Sequence, residues 1–204
     1  MGRKLLALSA ALFLLVASAG IASADPSASA TAHVYITIDP NISVQAIDSN
    51  VDAGTLQTGD RSVPITFRID ANTEAVAMSA LVTKLYKGDD PKGTEVAPIP
   101  VNESAGVIMD ADFANPINGG ENKADYIGSG NVTNNKGTFQ GSLTKQIIFE
   151  SSQSGHFSQN VEIIPTWTNE DTIAGNEKPR GQYSGYVVLY SAVTDLPASP
   201  SNGI

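Results

Sequence analysis

Apolar and polar residues alternate over short segments along most of the chain, and Gly, Pro, Asn and Asp separate these segments. In residues 63–69, for example, four apolar side chains share one face and polar side chains occupy the other. The pattern predicts further strands at residues 42–47, 76–82, 106–109, 143–149, 157–167 and 182–192. About seven or eight short strands are typical of an immunoglobulin-like antiparallel sandwich, so we predict an all-β fold.

Three stretches depart from this alternation. Residues 73–85 carry Ala and Leu at a spacing that fits a helix or a strand, and the pattern leaves both open. Residues 84–93 combine Lys, Gly, Asp and Pro, which predicts a turn or exposed loop. Residues 113–141 are mostly Asn, Gly, Lys, Thr and Ser, and we expect long surface loops there with one short edge strand.

The first 24 residues have the features of a cleavable secretory signal peptide. Arg3 and Lys4 precede an apolar run over residues 5–16, and Ala22-Ser23-Ala24 follows as a small-residue cleavage site. We therefore expect export, with a mature chain that begins at Asp25.

Charge and composition limit the classes of partner that the mature chain is expected to bind. Without residues 1–24 it has ten Lys and Arg against 21 Asp and Glu, a formal charge of −11. This excess argues against nucleic acid or an anionic membrane as a partner. No cysteine is present, which removes disulfides and thiolate chemistry. No later apolar run reaches the roughly 18 residues of a membrane span, so we predict no transmembrane segment.

The sequence offers no catalytic constellation. His33 and His156 are the two imidazoles, and neither lies in a recognisable motif. Carboxylates are abundant, but no pair is singled out by its spacing. We predict that the protein is not an enzyme and uses no cofactor.

One segment imitates a metal site. Asp48, Asn50 and Asp52 match the first three ligand positions of a calcium loop, but Ala53 and Gly59 stand where that loop needs Gly and Glu. We interpret the segment as a turn between strands and predict no metal. Trp167 alternates with apolar residues, which favours a core position over a sugar-binding platform.

An apolar strand pattern precedes the first strand of the sandwich. Its alternate residues are Ala30, Ala32, Val34, Ile36 and Ile38. Pro40 has no N–H to donate to a ladder and is expected to end the strand. Nine residues in extended conformation reach about 30 Å, the length of a sandwich.

The opposite end of the chain carries the last full strand. It follows a glycine turn and has apolar residues on both faces, with Tyr183, Tyr186, Val187, Val188, Leu189 and Tyr190 as its large side chains. Such a strand is normally covered inside a sandwich. Only residues 195–204 follow, rich in Pro and Ser, so the sandwich is expected to end one strand early.

These two ends resemble a known family. Residues 34–42, with Asp48 after them, and residues 161–167 and 181–185 are similar to the ends of major pilins of the alternate chaperone-usher class, the CFA/I-type and cable-pilus subunits. The absence of cysteine is also similar to that class. The resemblance covers about a third of the chain.

The resemblance implies a subunit that polymerises by donor-strand exchange. Residues 1–24 would be the signal peptide, 25–40 the donor extension, 41–194 the sandwich and 195–204 a flexible tail. The five alternate residues of the extension, chiefly Val34, Ile36 and Ile38, would fill a groove in the next copy, lined by the six large residues of the last strand. The implied partners are further copies in an open-ended heterologous filament, a periplasmic chaperone, an outer-membrane usher and a tip adhesin, and the implied location is the cell surface.

Two alternatives stay open. The N-terminal strand also fits an ordinary first strand of a complete domain, in which case the protein is a secreted monomeric module that binds carbohydrate through its Asn/Gly-rich loops. A secreted hydrolase is the third reading.

Overall fold

The computed structural model describes residues 33–93, 95–117, 121–170 and 178–194. The expected signal peptide, Ala30, Ala32 and the tail at 195–204 lie outside these ranges. The chain divides into two units, Met1–Ile38 and Asp39–Ile204. Within the described ranges, no helix is long and apolar enough to cross a membrane.

Every regular element of the described residues is a β-strand. In chain order they are β1 (Ile42–Ala46), β2 (Gly59–Ser62), β3 (Ile65–Ala71), β4 (Ala75–Thr83), β5 (Tyr86–Lys87), β6 (Val107–Ala111), β7 (Ala114–Pro116), β8 (Lys123–Ala124), β9 (Tyr126–Asn134), β10 (Gly137–Thr144), β11 (Ile147–Ser151), β12 (Phe157–Ile164), β13 (Thr166–Asn169), β14 (Tyr183–Ser184) and β15 (Val187–Val193).

The strands form two larger antiparallel sheets. The first has the order β1-β3-β12-β6-β8, and the second has the order β7-β11-β4-β10-β9 with β15 also paired to β4. Val82 pairs with Ser142 of β10 and with Val187 of β15, so β4 uses both of its edges. Two short ribbons, β13–β2 and β14–β5, complete the paired strands of the described residues.

The two sheets share one core. Their facing rows alternate with polar residues along each strand, as β12 shows with every second side chain buried. The largest fully buried apolar side chains of this core are Phe149, Phe157, Ile69, Met78, Met109 and Ile163. Burial of these rows from both sheets, with antiparallel pairing throughout, makes the fold a sandwich and confirms the all-β prediction.

The undecided segment at residues 73–85 is the central strand β4. Its nine residues are all buried except Ser79, so both rows of side chains are covered, and neighbouring strands pair with both of its edges. A strand buried on both faces has a continuous apolar run, which loses the period of two that identifies strands in a sequence.

The prediction of loops with one short edge strand at residues 113–141 is wrong. The stretch contains β7, β8, β9 and the start of β10, and β9 and β10 form a long hairpin. Gly141 of β10 explains part of the missing signal, because a Cβ there would lie 2.7 Å from the backbone Cα of Thr83. The close approach of β10 to β4 therefore requires a glycine where an alternating strand would carry a side chain.

Two predicted strands are each two strands in the structure. The segment 143–149 divides between β10 and β11 at Lys145 and Gln146, and the segment 157–167 divides at Pro165 between β12 and β13. Pro165 has no N–H for the ladder, although its carbonyl accepts from Val63 N–H at 3.1 Å. The predicted turn at 84–93 also contains the two-residue β5.

Candidate functional site

The N-terminal apolar segment is fully accessible where the structure describes it. Val34, Ile36 and Ile38 are 75%, 84% and 79% exposed, and residues 33–41 form no strand. Pro40 precedes β1, which begins at Ile42. Three large apolar side chains in alternation are therefore held in water at considerable cost, about 1.5–3 kcal/mol for each relative to burial.

Strand β1 borders the sandwich on one side and leaves its interior partly open. Val44 of β1 lies directly opposite Ile69 of β3, so both side chains point to the same face of the sheet. Ile69 is completely buried, whereas Val44 is 39% exposed. Val44 faces the core side but lacks a neighbour on its outer flank.

Strand β15 shows the same contrast on the second sheet. Val187, Leu189, Ser191 and Val193 lie opposite Val82, Ala80, Met78 and Val76, all four of which are completely buried. Of the β15 row only Leu189 is buried, and the other three are half-buried. The hydroxyl of Ser191 is buried yet has no hydrogen-bond partner among the described residues.

The edges of these two strands meet without pairing. Cα atoms of β1 and β15 come within 8 Å of each other, but the described ladders join β1 to β3 and β15 to β4 alone. We call this border, with Val44 on one side and the Val187–Val193 row on the other, the open flank. It offers an unpaired backbone edge above a row of half-buried apolar side chains, the arrangement that accepts an added strand.

Of the six large residues predicted to line a groove, the four in β15 divide between the two faces of the second sheet, whereas Tyr183 lies in β14 and Tyr186 lies between β14 and β15. Tyr183 and Val187 pack against the core, where Leu189 is buried. Val188 and Tyr190 alternate with Leu189 and so belong to the outer face, where Tyr190 is 49% exposed. Val44, Ser191 and Val193 border the flank but were not among the predicted residues. The alternation of Ile42, Val44 and Ala46 was the available signal for Val44.

An aromatic cluster holds the chain at the N-terminal end of β15. The ring of Phe139 is completely buried between Tyr86 and Tyr186, with edge-to-face centroid distances of 5.3 and 4.8 Å. Thr83 secures the same point, because its N–H donates to the Tyr186 carbonyl at 2.9 Å and its Oγ1 accepts from Tyr186 N–H at 2.7 Å. The chain is therefore anchored at Tyr186, immediately before the first residue of β15.

Charges reinforce this anchor. Lys136 forms a salt bridge with Asp89, and the Ser184 hydroxyl donates to the same carboxylate at 3.0 Å. The hydrogen bond from Lys136 is the main reason that the pKa of Asp89 lies below its usual value, and the bond from Ser184 acts in the same direction against the opposing effect of burial.

The residues that the sequence offered as candidates for catalysis or metal binding lie apart from each other. The Nδ1 atom of His156 lies 3.1 Å from the Ser154 carbonyl oxygen, and the ring centroid of His33 lies 4.1 Å from that of Tyr35 with the rings tilted by 51°. Asp48–Asp52 belongs to the loop between β1 and β2, as interpreted, and Asp52 accepts from Gly54 N–H at 2.8 Å. Within the described ranges, no three His, Cys, Asp or Glu side chains are grouped as metal ligands would be. Trp167 is 5% exposed and belongs to the core, which confirms its structural interpretation.

No protein-family model matches this chain, and no curated protein matches its sequence.

Proposed function

We propose that the protein is a structural subunit of a cell-surface pilus that polymerises non-covalently by donor-strand exchange and supports adhesion. The observation that carries the proposal is the open flank, where the inner rows of β1 and β15 are more exposed than their buried partners on β3 and β4. A strand supplied by a second copy would cover both rows.

The N-terminal segment has the chemistry of that strand. Val34, Ile36 and Ile38 alternate and are exposed, and a strand added to the edge of β15 that no described strand pairs with would turn all three toward the core side. At about 1.5–3 kcal/mol for each side chain, burial would contribute on the order of 5–9 kcal/mol before the cost of ordering the segment. Ala30 and Ala32 would extend the same row.

Repetition of this contact would produce a filament. The donated segment and the accepting flank are different surfaces of one chain, so the interface is heterologous and stays open at both ends. The proposal implies a periplasmic chaperone that covers the flank before assembly, an outer-membrane usher, a tip adhesin and display at the cell surface. It draws further support from the resemblance of residues 34–42, 161–167 and 181–185 to chaperone-usher pilins.

The test compares two neighbouring, equally exposed residues of the full mature chain, 25–204. Ile36→Asp places a charge on the inner row and is expected to block polymerisation, whereas Tyr35→Asp places it on the outer row and is expected to leave most assembly intact. The Ile36→Asp chain should still bind a synthetic peptide of residues 25–41, with a rise in its melting temperature. The same peptide carrying Ile36→Asp should not bind.

Two results would contradict the proposal. One is normal fibre assembly by the Ile36→Asp chain. The other is a cooperative monomer whose stability survives deletion of residues 25–38, which is the behaviour of the monomeric binding module.

A further inference from the structure

Asn72, in the turn between β3 and β4, holds the backbone on both sides of Pro40. Its Oδ1 accepts from Asn41 N–H at 2.6 Å, and its Nδ2 donates to the Asp39 carbonyl at 3.0 Å. Its own backbone N–H donates to the Asn41 carbonyl at 3.2 Å, which extends the β1–β3 ladder by one residue.

These three bonds have the pattern of a straight strand. In an extended chain, residues two apart direct their backbone groups to the same side, as Asp39 and Asn41 do toward Asn72. Pro40 lies between them and has no N–H that would need a partner. The carboxamide of Asn72 therefore takes the place of a peptide group, and it keeps residues 39–41 in line with β1.

We propose that Asn72 is a positioning residue that directs the N-terminal segment to a second copy of the chain, an inference that rests on the proposed function. A segment that fills the flank of its own subunit must turn back beside its own β1. That reversal requires residues 39–41 to leave the line of β1, and Asn72 holds both of the groups that would have to move. Donation to a neighbour needs no reversal.

The effect on folding is small in comparison. Asn72 and its two side-chain hydrogen bonds are exposed, and water replaces such bonds readily when they are lost. Holding a segment in the direction of its bound form lowers the ordering cost of binding, which changes association without adding a contact at the interface. Loss of Asn72 should therefore affect donation more than stability.

The experiment separates donation from acceptance in the full mature chain. For donation, a tagged Asn72→Ala chain is mixed with the Ile36→Asp chain, which has an intact flank but a disabled donor segment, and mixed complexes are counted over time. For acceptance, the double variant Asn72→Ala/Ile36→Asp is titrated with the peptide of residues 25–41. Donation is expected to slow about five- to tenfold, the effect of losing one or two net hydrogen bonds, with a larger monomer fraction. Peptide affinity is expected to stay unchanged.

Asn102→Ala is the matched control. Asn102 also makes two side-chain hydrogen bonds in a turn, to Asp60 at 3.1 Å and from Ala105 N–H at 3.1 Å, far along the chain from Pro40. The Asn102→Ala chain should donate its N-terminal segment at the rate of the unmodified chain. Asn72→Asp, which keeps the acceptor for Asn41 but loses the donor to Asp39, should donate more slowly than the unmodified chain and serves if Asn72→Ala does not fold.

Three outcomes overturn the positioning role: donation at the normal rate by both Asn72 variants, an equal loss in Asn102→Ala, or a parallel loss of peptide affinity. If the unmodified chain neither assembles nor supplies a peptide that binds, the proposed function fails and this role fails with it. The unmodified chain thus reports on the first proposal, and the Asn72 variants report on the second.

Discussion

Trp167 donates its indole N–H to the backbone carbonyl of Thr83 at 2.8 Å, in a region where both residues are buried. The bond joins β13 to the end of β4, where Thr83 also holds Tyr186. The single tryptophan of the chain is therefore part of the support beneath β15.

Trp167→Phe should destabilise the sandwich by about 2–4 kcal/mol. It leaves the Thr83 carbonyl without its partner and removes part of a buried ring. Chemical denaturation of the Ile36→Asp background measures the loss without interference from assembly. A stability within about 0.5 kcal/mol of the parent would contradict the structural role of this side chain.

Val44→Ala and Ile69→Ala test the exposure contrast at the open flank. Ile69 is completely buried, so its truncation should cost about 2–4 kcal/mol of folding free energy, whereas Val44→Ala should cost less than about 1 kcal/mol. If the flank accepts a strand, Val44→Ala should also weaken binding of the peptide of residues 25–41 by about threefold to tenfold. Calorimetric titration of the Ile36→Asp background provides the measurement. Unchanged affinity would place the peptide elsewhere.

Gly141→Ala should destabilise the fold by about 1–3 kcal/mol or more, since a Cβ at this position would lie 2.7 Å from the Thr83 Cα and rigid backbone surrounds it. Gly128 is the matched control on the neighbouring strand, because a Cβ there meets nothing within 4 Å. Gly128→Ala should change stability by less than about 0.5 kcal/mol. Equal effects of the two substitutions in thermal unfolding would be inconsistent with the described β10–β4 contact.

Tyr126→Phe should stabilise the protein by about 1 kcal/mol. The Tyr126 hydroxyl is buried with no hydrogen-bond partner among the described residues, and burial, with a smaller effect of Glu103, raises the pKa of the phenol. Removing the hydroxyl removes its desolvation penalty. Tyr183→Phe should instead lower the stability, because that hydroxyl donates to the Pro179 carbonyl at 2.9 Å. A loss of stability in Tyr126→Phe would mean that its hydroxyl has a partner after all.

Asp89→Asn should weaken the fold at neutral pH and make its acid unfolding less steep. The salt bridge and hydrogen bond from Lys136 lower the pKa of Asp89 in the folded state. A lowered pKa stabilises the fold above the ordinary value of 3.8, and this contribution is lost as the pH falls through the folded-state value. Free energies of unfolding from pH 7 to pH 2 give the comparison. Lys136→Met should remove most of the same pH dependence, and adding it to Asp89→Asn should change little.

The sequence predicts the fold class well because the long strands of the first sheet are buried on one face only. In β3 and β12 that half-burial gives the alternation that identifies a strand. The hairpin of β9 and β10 is missed because most of the β9 side chains are exposed, and the close approach of Gly141 to the backbone of Thr83 leaves no room for a side chain there.

The candidate site is only partly visible in the sequence. Alternation over residues 34–38 identifies the apolar segment. The partial exposure of Val44 depends on the position of β15, which is distant in sequence, so no local pattern contains it. Asparagine is common in turns, so Asn72 does not stand out in the sequence. Its bonds to Asp39 and Asn41 follow from tertiary structure alone.

The central strand β4 sets the order in which this chain can fold. Its last residue, Thr83, is joined to Tyr186, which lies 103 positions later in the chain, and β15 then covers one edge of β4 from Val82 to Val76. A chain that emerges N-terminus first leaves this edge of β4 unpaired until residues near 190 have appeared, although β10 and β11 can pair with its opposite edge earlier. Such distant pairing slows folding and prolongs exposure to aggregation. The newly made polypeptide would therefore depend on protection until β15 is available, before any question of assembly arises.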